Sequence, residues 1–313
     1  MTGLLDGKVI LITGSGRGIG RAIAHLAASE GAAVVVNDYG VNVDGSQPSE
    51  GPAEDVAREI REAGGRAVAN FGSVADAADA KAMVAQAVKE FGRLDGLVNN
   101  AGIDRARMIF NMTEDEWDLV LAVHLRGNFL CSRFAAEQMA KQRSGCILGV
   151  TSGNGTFGTT GMTNYGSAKA AIIGLSLAVA QELAPYGVRS NAYHIGAQTR
   201  MTAQGSEEER AAREAARKAA GVTRPMGGAN RPGRPEDGAP LPVYLMSDMA
   251  SAITGRVFYM GTDSLGLYND LYPTRVITRE DGWSVDDVAD YFKTGLGSGV
   301  APFPSGPQPS NNS

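Results

Sequence analysis

Residues 8–20 read Lys-Val-Ile-Leu-Ile-Thr-Gly-Ser-Gly-Arg-Gly-Ile-Gly. The apolar, β-branched run at their start is typical of a strand buried on both faces. Glycines in the following turn let the backbone approach a pyrophosphate, and the N-terminus of the next helix supplies amide donors and a positive dipole end. A glycine-rich turn without a ligand is the alternative, which the strand–turn–helix context disfavours. We therefore predict a phosphate cradle formed by Gly14, Arg17, Gly18, Ile19 and Gly20.

Short apolar runs and amphipathic segments alternate along most of the chain. Strands are predicted at 8–13, 32–37, 67–71, 94–99, 146–151, 188–193 and 255–260, and helices at 21–29, 53–63, 75–91, 114–140, 163–184 and 206–220. This alternation indicates βαβ units with right-handed crossovers. The predicted fold class is α/β, a doubly wound parallel sheet (Rossmann fold) in one domain at 1–266. A C-terminal extension follows at 267–313, and its last 13 or so residues are rich in Pro and Ser and predicted to be disordered.

Composition narrows the class of protein. Lys and Arg number 29 against 34 Asp and Glu, for a net charge of −5, so electrostatic nucleic-acid binding is not expected. Glycine accounts for 41 of 313 residues without a collagen period, which indicates many tight turns. Cys131 and Cys146 match no C-x-x-C pattern, and His25, His124 and His194 lack ligand spacing, so neither a disulfide framework nor a metal is predicted.

The cellular setting is predicted from the apolar segments. The N-terminus lacks the charged and apolar regions of a signal peptide, and the apolar stretch at 170–180 is too short to span a bilayer. We therefore expect a cytoplasmic protein without a membrane partner.

Asp38 bears on the choice of cofactor. It ends the second predicted strand, eighteen residues after Gly20. A carboxylate there accepts hydrogen bonds from the adenosine ribose hydroxyls and repels a 2′-phosphate, which favours NAD. An ordinary strand-end Asp that caps a turn is the alternative. Arg17 argues the other way, because a basic residue in the cradle can receive a 2′-phosphate, so NADP is not excluded.

Tyr165 and Lys169 are four residues apart on a predicted helix and therefore share one face. A phenol with a pKa near 10 is a poor base at neutral pH, and a neighbouring ammonium favours its ionised form. Ser152 lies just past a predicted strand, where its hydroxyl can hold a substrate oxygen. The Y-x-x-x-K spacing alone is a weak signal, since a solvated helix face produces it as well.

Four motifs together resemble those of the short-chain dehydrogenases/reductases. They are T-G-x-x-x-G-x-G at 13–20, Asn-Asn-Ala-Gly at 99–102, Ser152, and Tyr165-x-x-x-Lys169, in the order and spacing of that family. The likeness covers about residues 5–265.

The resemblance implies a role for each matching residue. Tyr165 acts as general acid/base, Lys169 binds the nicotinamide ribose and lowers the pKa of Tyr165, and the nicotinamide lies beside Ser152. Further cofactor contacts are implied at Ser73, Val74, Asn99, Ala101, Gly102 and Thr199. The family resemblance also implies a homotetramer or homodimer. The predicted helices at 114–140 and 163–184 are long and apolar enough to form a subunit interface.

His124 departs from the family pattern. The family has a catalytic Asn at this position on the long helix, where it supports a water chain to the lysine; this chain has His124. A neutral imidazole both donates and accepts hydrogen bonds, so it can support the same relay. A core histidine without a catalytic role, or a loss of activity, is the alternative.

The segments 36–38, 67–70, 123–127 and 200–202 resemble one subgroup of the family. It comprises the (3R)-hydroxyacyl-CoA and 17β-hydroxysteroid dehydrogenase domain of peroxisomal multifunctional enzymes and its bacterial relatives. The expected substrate is a bulky hydrophobic secondary alcohol or its ketone, such as a hydroxyacyl-CoA, a steroid or a terpenoid. Residues from 199 to about 233 are predicted to form a lid, because they follow a strand end where such sheets bind ligands.

The sequence thus predicts NAD-dependent interconversion of a secondary alcohol and a ketone. An NADPH-dependent carbonyl reductase is the first alternative. A dinucleotide-binding protein without turnover, disabled by His124, is the second, although intact Ser152, Tyr165 and Lys169 argue against it.

Overall fold

The sheet organises the molecule. The structure is a computed structural model that describes residues 3–49, 51–196, 233–269 and 284–294. Eight described strands form a sheet of order β3-β2-β1-β4-β5-β6-β7-β8, in which all neighbours are parallel except β7 and β8. The strands are Val9–Thr13 (β1), Ala33–Asn37 (β2), Arg66–Asn70 (β3), Gly96–Asn99 (β4), Gly145–Thr151 (β5), Val188–Ile195 (β6), Val257–Met260 (β7) and Leu265–Leu267 (β8).

Helices cover both faces of this sheet. They are Gly18–Ser29 (α1), Gly51–Glu62 (α2), Ala77–Phe91 (α3), Glu114–Leu121 (α4), Gly127–Gln142 (α5), Gly153–Phe157 (α6), Thr163–Leu183 (α7) and Pro240–Met246 (α8). Side chains alternate between the faces along each strand, so Ile10 packs in one core with α1, α2 and α8. Leu11 packs in a second core with α3 and α5. The prediction of a doubly wound sheet is confirmed.

The strand order places the site. It reverses at β1, because β2 lies on one side of this strand and β4 on the other. Ligands of open parallel sheets bind in the crevice beyond the carboxyl ends of the strands at such a switch point. Thr13, Asn37, Asn99 and Thr151 end their strands at this edge.

The long helix predicted at 114–140 has an irregular centre. A π turn, Ala122–Arg126, separates α4 from α5, and the Gly127 amide bonds to the Ala122 carbonyl, five residues back. A π turn contains one extra residue, which barely changes the spacing of apolar residues along the sequence. This turn was therefore not predicted. Helix α8 was not predicted either. Its Pro240 occupies the first helical position, where proline is tolerated.

Other predictions lie outside the described residues: the helix at 206–220, Thr199, the lid except its last residue, and the disordered end. Helix Val285–Thr294 (α9) belongs to a second unit of the chain. The domain boundary at 266 remains a prediction.

Among the described residues, one helical stretch, Thr163–Tyr186, has the length and mean hydropathy (1.2) of a membrane span. Core helices of globular proteins meet the same criterion, and this one packs against β5 and β6.

Candidate active site

The glycine turn lies between β1 and α1. Gly14 has a φ of +63°, and a Cβ there would come 2.7 Å from the Ala101 Cα. A Cβ on Gly20 would overlap the Gly14 carbonyl oxygen. The cradle therefore exists because these positions lack side chains, and this geometry fits the phosphates of a dinucleotide.

Asn100 and Thr13 hold the cradle in place. The Asn100 Nδ2 donates to the carbonyls of Thr13 (3.0 Å) and Gly14 (2.9 Å). The Thr13 hydroxyl accepts from the amides of Asn100 (3.0 Å) and Ala101 (3.1 Å). The Asn-Asn-Ala-Gly motif is visible in the sequence, but this role of Asn100 was not predicted. Its partners, Thr13 and Gly14, are almost ninety residues away in the chain.

Asp38 reaches the same turn. Its Oδ2 accepts from the Gly16 amide at 2.8 Å, and its Oδ1 accepts from the Gly40 amide at 2.7 Å. A carboxylate oxygen has capacity for more than one hydrogen bond. The carboxylate is thus held beside the cradle and retains acceptor capacity there.

An open cleft of about 560 Å³ lies along the outer side of the cradle. Arg17 and Arg21 line it, together with the first residues of α2. The Arg17 guanidinium donates to the Val41 carbonyl at 3.4 Å, and Arg21 pairs with Glu59 at 2.7 Å. The two arginines therefore lie on the side of the turn where the Gly16 amide donates to Asp38.

The other predicted cofactor positions follow β3 and β4. Val74 is buried against Gly127, and the Ser73 amide donates to Asp79 at 2.9 Å. The Asn99 side chain is also buried and donates to the Ser132 hydroxyl at 3.0 Å. The side-chain nitrogen of Asn99 therefore already donates a hydrogen bond within the protein.

The fold brings Ser152, Tyr165 and Lys169 together. Ser152 directly follows β5 and caps α6, where its Oγ accepts from the Asn154 amide at 3.2 Å. The Ser152 side chain lies close enough to Tyr165, on the first turn of α7, to lower the pKa of its phenol. One turn later, the Lys169 Nζ lies 5.5 Å from the centroid of the Tyr165 ring.

Burial shifts the ionisation of both side chains of this pair. Removal from water raises the pKa of Tyr165 to about 12; Ser152 opposes this rise, and the Asp104 charge adds to it. Burial lowers the pKa of Lys169 to about 7. The Lys169 Nζ is buried and donates to the Val150 carbonyl at 2.6 Å.

His124 joins these residues through the π turn. Its ring meets that of Tyr165 edge-on, with centroids 5.0 Å apart. Its Nε2 lies 2.8 Å from the Ile103 carbonyl oxygen and 3.2 Å from the Ile103 amide nitrogen. Burial, reinforced by the Lys169 charge, lowers the pKa of His124 to about 3, so the imidazole is neutral at physiological pH.

The described residues include potential metal ligands and two thiols. Within the described ranges, no three His, Cys, Asp or Glu side chains group as metal ligands. Cys131 and Cys146 are buried and unpaired with each other, and burial raises the pKa of both thiols.

Comparisons with known proteins agree with this geometry. The family model described as short chain dehydrogenase matches residues 8–210. A 3-oxoacyl-[acyl-carrier-protein] reductase of Thermotoga maritima is 37% identical over 254 residues, which are 81% of this chain and 96% of that protein. A crystal structure of a short chain dehydrogenase from Mycobacterium avium is similar at a TM-score of 0.79 and 38% identity, covering 98% of this chain and 100% of the other.

The peroxisomal multifunctional enzyme type 2 of Drosophila melanogaster is 45% identical over 197 residues, 63% of this chain. The match covers only 32% of that longer enzyme. The predicted resemblance to this subgroup is confirmed. The chain therefore belongs to the short-chain dehydrogenase family and is an NAD(P)-dependent oxidoreductase that acts on CH–OH groups.

Proposed function

We propose that this protein interconverts a secondary alcohol and a ketone with NAD, on a bulky hydrophobic substrate. The observation that carries the proposal is the meeting of Ser152, Tyr165 and Lys169 beside a dinucleotide cradle at the carboxyl edge of the sheet. A hydroxyl, a phenol and an ammonium at one site suit proton transfer at a carbinol oxygen.

Each side chain has one role in this proposal. A dinucleotide held in the cradle would supply the hydride chemistry. In oxidation, the Ser152 Oγ positions the carbinol oxygen and the Tyr165 phenolate takes its proton. In reduction, the Tyr165 phenol donates a proton to the carbonyl oxygen; with a pKa of about 12 it holds that proton at neutral pH. The Lys169 ammonium favours the phenolate and binds the nicotinamide ribose.

NAD is the proposed cofactor because of Asp38. Its carboxylate is fixed by the Gly16 and Gly40 amides and keeps acceptor capacity for ribose hydroxyls. A negative charge there repels a 2′-phosphate. The remaining proposed cofactor contacts are Ser73, Val74, Asn99, Ala101, Gly102 and Thr199.

The hydrophobic substrate is proposed from the surface next to the site. Exposed Met108, Ile109 and Phe110 follow Arg107, whose amide bonds to the Gly161 carbonyl just before α7. The names of the relatives include a 3-oxoacyl reductase, which suits a hydroxyacyl thioester as substrate. A steroid or a terpenoid alcohol has similar apolar bulk.

We further propose a cytoplasmic homodimer or homotetramer. The exposed face of α7 carries small residues at helical spacing, including Ala170, Gly174 and Ala178. Small side chains let a second helix approach closely, and an apolar helix with such a face suits association with another copy.

The second candidate is an NADPH-dependent carbonyl reductase. Arg17 and Arg21 favour it, since they line the cleft at Gly16, whose amide donates to Asp38, and suit a 2′-phosphate. The kcat/KM ratio for NAD and NADP decides between the two. A strong preference for NADP would refute the role proposed for Asp38.

A substrate screen tests the proposed function. The purified protein is assayed with NAD and a panel of secondary alcohols, hydroxysteroids and 3-hydroxyacyl-CoAs, with NADH absorbance as the readout. We expect turnover of at least one, and Tyr165→Phe should lower kcat by about 10²- to 10⁴-fold while NADH still binds.

Two outcomes contradict the proposal. Activity that survives Tyr165→Phe refutes the catalytic assignment. Tight NADH binding without turnover of any alcohol or ketone, with either cofactor, supports a non-catalytic dinucleotide-binding protein instead.

A further inference from the structure

A buried chain of polar side chains lies behind the catalytic lysine. The Asn99 Nδ2 donates to the Ser132 Oγ at 3.0 Å, and the Ser132 Oγ donates to the Asn128 Oδ1 at 3.3 Å. All three residues are buried. Because the Asn128 oxygen receives the serine proton, the orientation of its amide follows from the network, and its Nδ2 is a donor.

A small cavity adjoins this chain. It has a volume of about 10 Å³, and His124, Asn128 and Lys169 line it together with Thr13 and Asn99. Such a volume is near the minimum that holds one water molecule. The cavity therefore joins the inner polar chain to the catalytic lysine.

Two buried polar atoms of the residues that line the cavity have no protein hydrogen-bond partner within the described part of the chain. They are the Asn128 Nδ2 and the His124 Nδ1. The short 2.8 Å distance between the His124 Nε2 and the Ile103 carbonyl oxygen assigns the proton to Nε2. The Nδ1 of the neutral ring is then an acceptor. One donor and one acceptor thus belong to side chains that line the same cavity as Lys169.

We propose that Asn128 is a positioning residue that holds one water molecule against Lys169 in this cavity. The water accepts hydrogen bonds from the Asn128 Nδ2 and the Lys169 Nζ and donates one to the His124 Nδ1. These three partners are the usual number for a buried water.

The proposal rests on the proposed function and extends it to a residue outside the family motifs. Burial disfavours the charged form of a lysine. A water bound to the Nζ solvates the ammonium, and the ammonium favours the phenolate of Tyr165. Asn128 touches neither substrate nor cofactor in this scheme and acts through Lys169.

Kinetics of Asn128→Leu test the proposal. Leucine has a similar shape but no donor, so kcat of alcohol oxidation should fall by at least about tenfold, with KM for cofactor and alcohol unchanged. Asn128→Ser should restore most of the loss, because its hydroxyl also donates and leaves room for the water. Equal losses in both variants, or a loss carried by KM, would overturn the proposal.

Tyr193→Phe is the matched control. The Tyr193 hydroxyl is also buried without a hydrogen-bond partner in the described residues, but it lies on β6 and does not line this cavity. We expect its kcat to match the wild type. A tenfold loss in this variant as well would show that kcat responds to any buried substitution and would overturn the proposal.

A crystal structure supplies a readout that does not depend on turnover. Density for a water within about 3.2 Å of both the Asn128 Nδ2 and the Lys169 Nζ is expected in the wild type and not in Asn128→Leu. A wild-type cavity without such density would overturn the proposal. Inactivity of the wild type toward every alcohol and ketone would instead refute the proposed function and leave this measurement valid.

Discussion

At the residue scale, single side chains in this site have tasks that compete. Asp38 fixes the backbone of two loops through Gly16 and Gly40 and is also the proposed partner of the adenosine ribose. Burial of Lys169 and His124 opposes their charged forms, although the chemistry requires a charge on the first. Substitutions here therefore change both stability and function, and the measurements must separate the two.

Asp38→Ser should change the cofactor preference. The substitution removes the negative charge that repels a 2′-phosphate, so kcat/KM with NADP relative to NAD should rise by at least about tenfold, the equivalent of 1.4 kcal/mol. The Gly16 and Gly40 amides also lose an acceptor, so stability should fall by about 1–3 kcal/mol. Kinetics with both cofactors and thermal unfolding separate these effects, and an unchanged ratio would refute the role of Asp38.

His124 should contribute to acid sensitivity. The pKa of His124 is about 3 in the folded protein against 6.5 for an imidazole in water, so between these values the unfolded chain binds more protons. The contribution of His124 to stability is complete above pH 6.5 and is lost as the pH falls toward 3. His124→Asn should remove this loss, so the variant should gain stability relative to wild type between pH 6.5 and 4. A stability difference that does not depend on pH would contradict the assignment.

At the element scale, two irregularities position the chemistry. The turn before α1 depends on glycines, and the π turn between α4 and α5 brings His124 over Gly102 and beside Tyr165. A Cβ on Gly102 would overlap the His124 ring. Both elements therefore rely on a backbone that passes close to another segment.

Gly20→Ala should damage the cradle. Its Cβ would overlap the Gly14 carbonyl oxygen and lie 2.6 Å from the Asn100 Nδ2, which holds the turn. NADH affinity measured by fluorescence titration should fall by at least about tenfold, that is 1.4 kcal/mol. Gly174→Ala, on the exposed face of α7, is the control, since no heavy atom lies within 4 Å of its Cβ position. Equal NADH affinity in both variants would argue against close packing in the turn.

At the scale of the whole molecule, the exposed face of α7 connects the site to the proposed oligomer. Tyr165 and Lys169 occupy the buried side of this helix near its start, whereas Ala170, Gly174 and Ala178 lie on the exposed side. An interface formed there would support the helix that carries the catalytic pair.

Gly174→Glu should dissociate the oligomer. Nothing within the described protomer lies within 4 Å of a Cβ at Gly174, so the side chain is tolerated there. Between two closely packed helices, it would introduce bulk and an unpaired charge, which is costly to bury. Light scattering should show a lower mass than for the wild type, whereas Ser29→Glu on α1 should not change the mass. A wild-type mass for Gly174→Glu would refute an interface on this face.

The sequence by itself determined the strand–turn–helix cradle, the alternation that forms a parallel sheet, and the shared helix face of Tyr165 and Lys169. These features depend on residue type and short spacing, which are local properties. The tertiary structure decided the rest. It created the π turn at His124, the backbone bonds of Asp38, and the cavity that Asn128 shares with Lys169. It also buried Tyr165 and Lys169, which raises the pKa of the phenol and lowers that of the lysine, because burial is decided by contacts between segments distant in the chain.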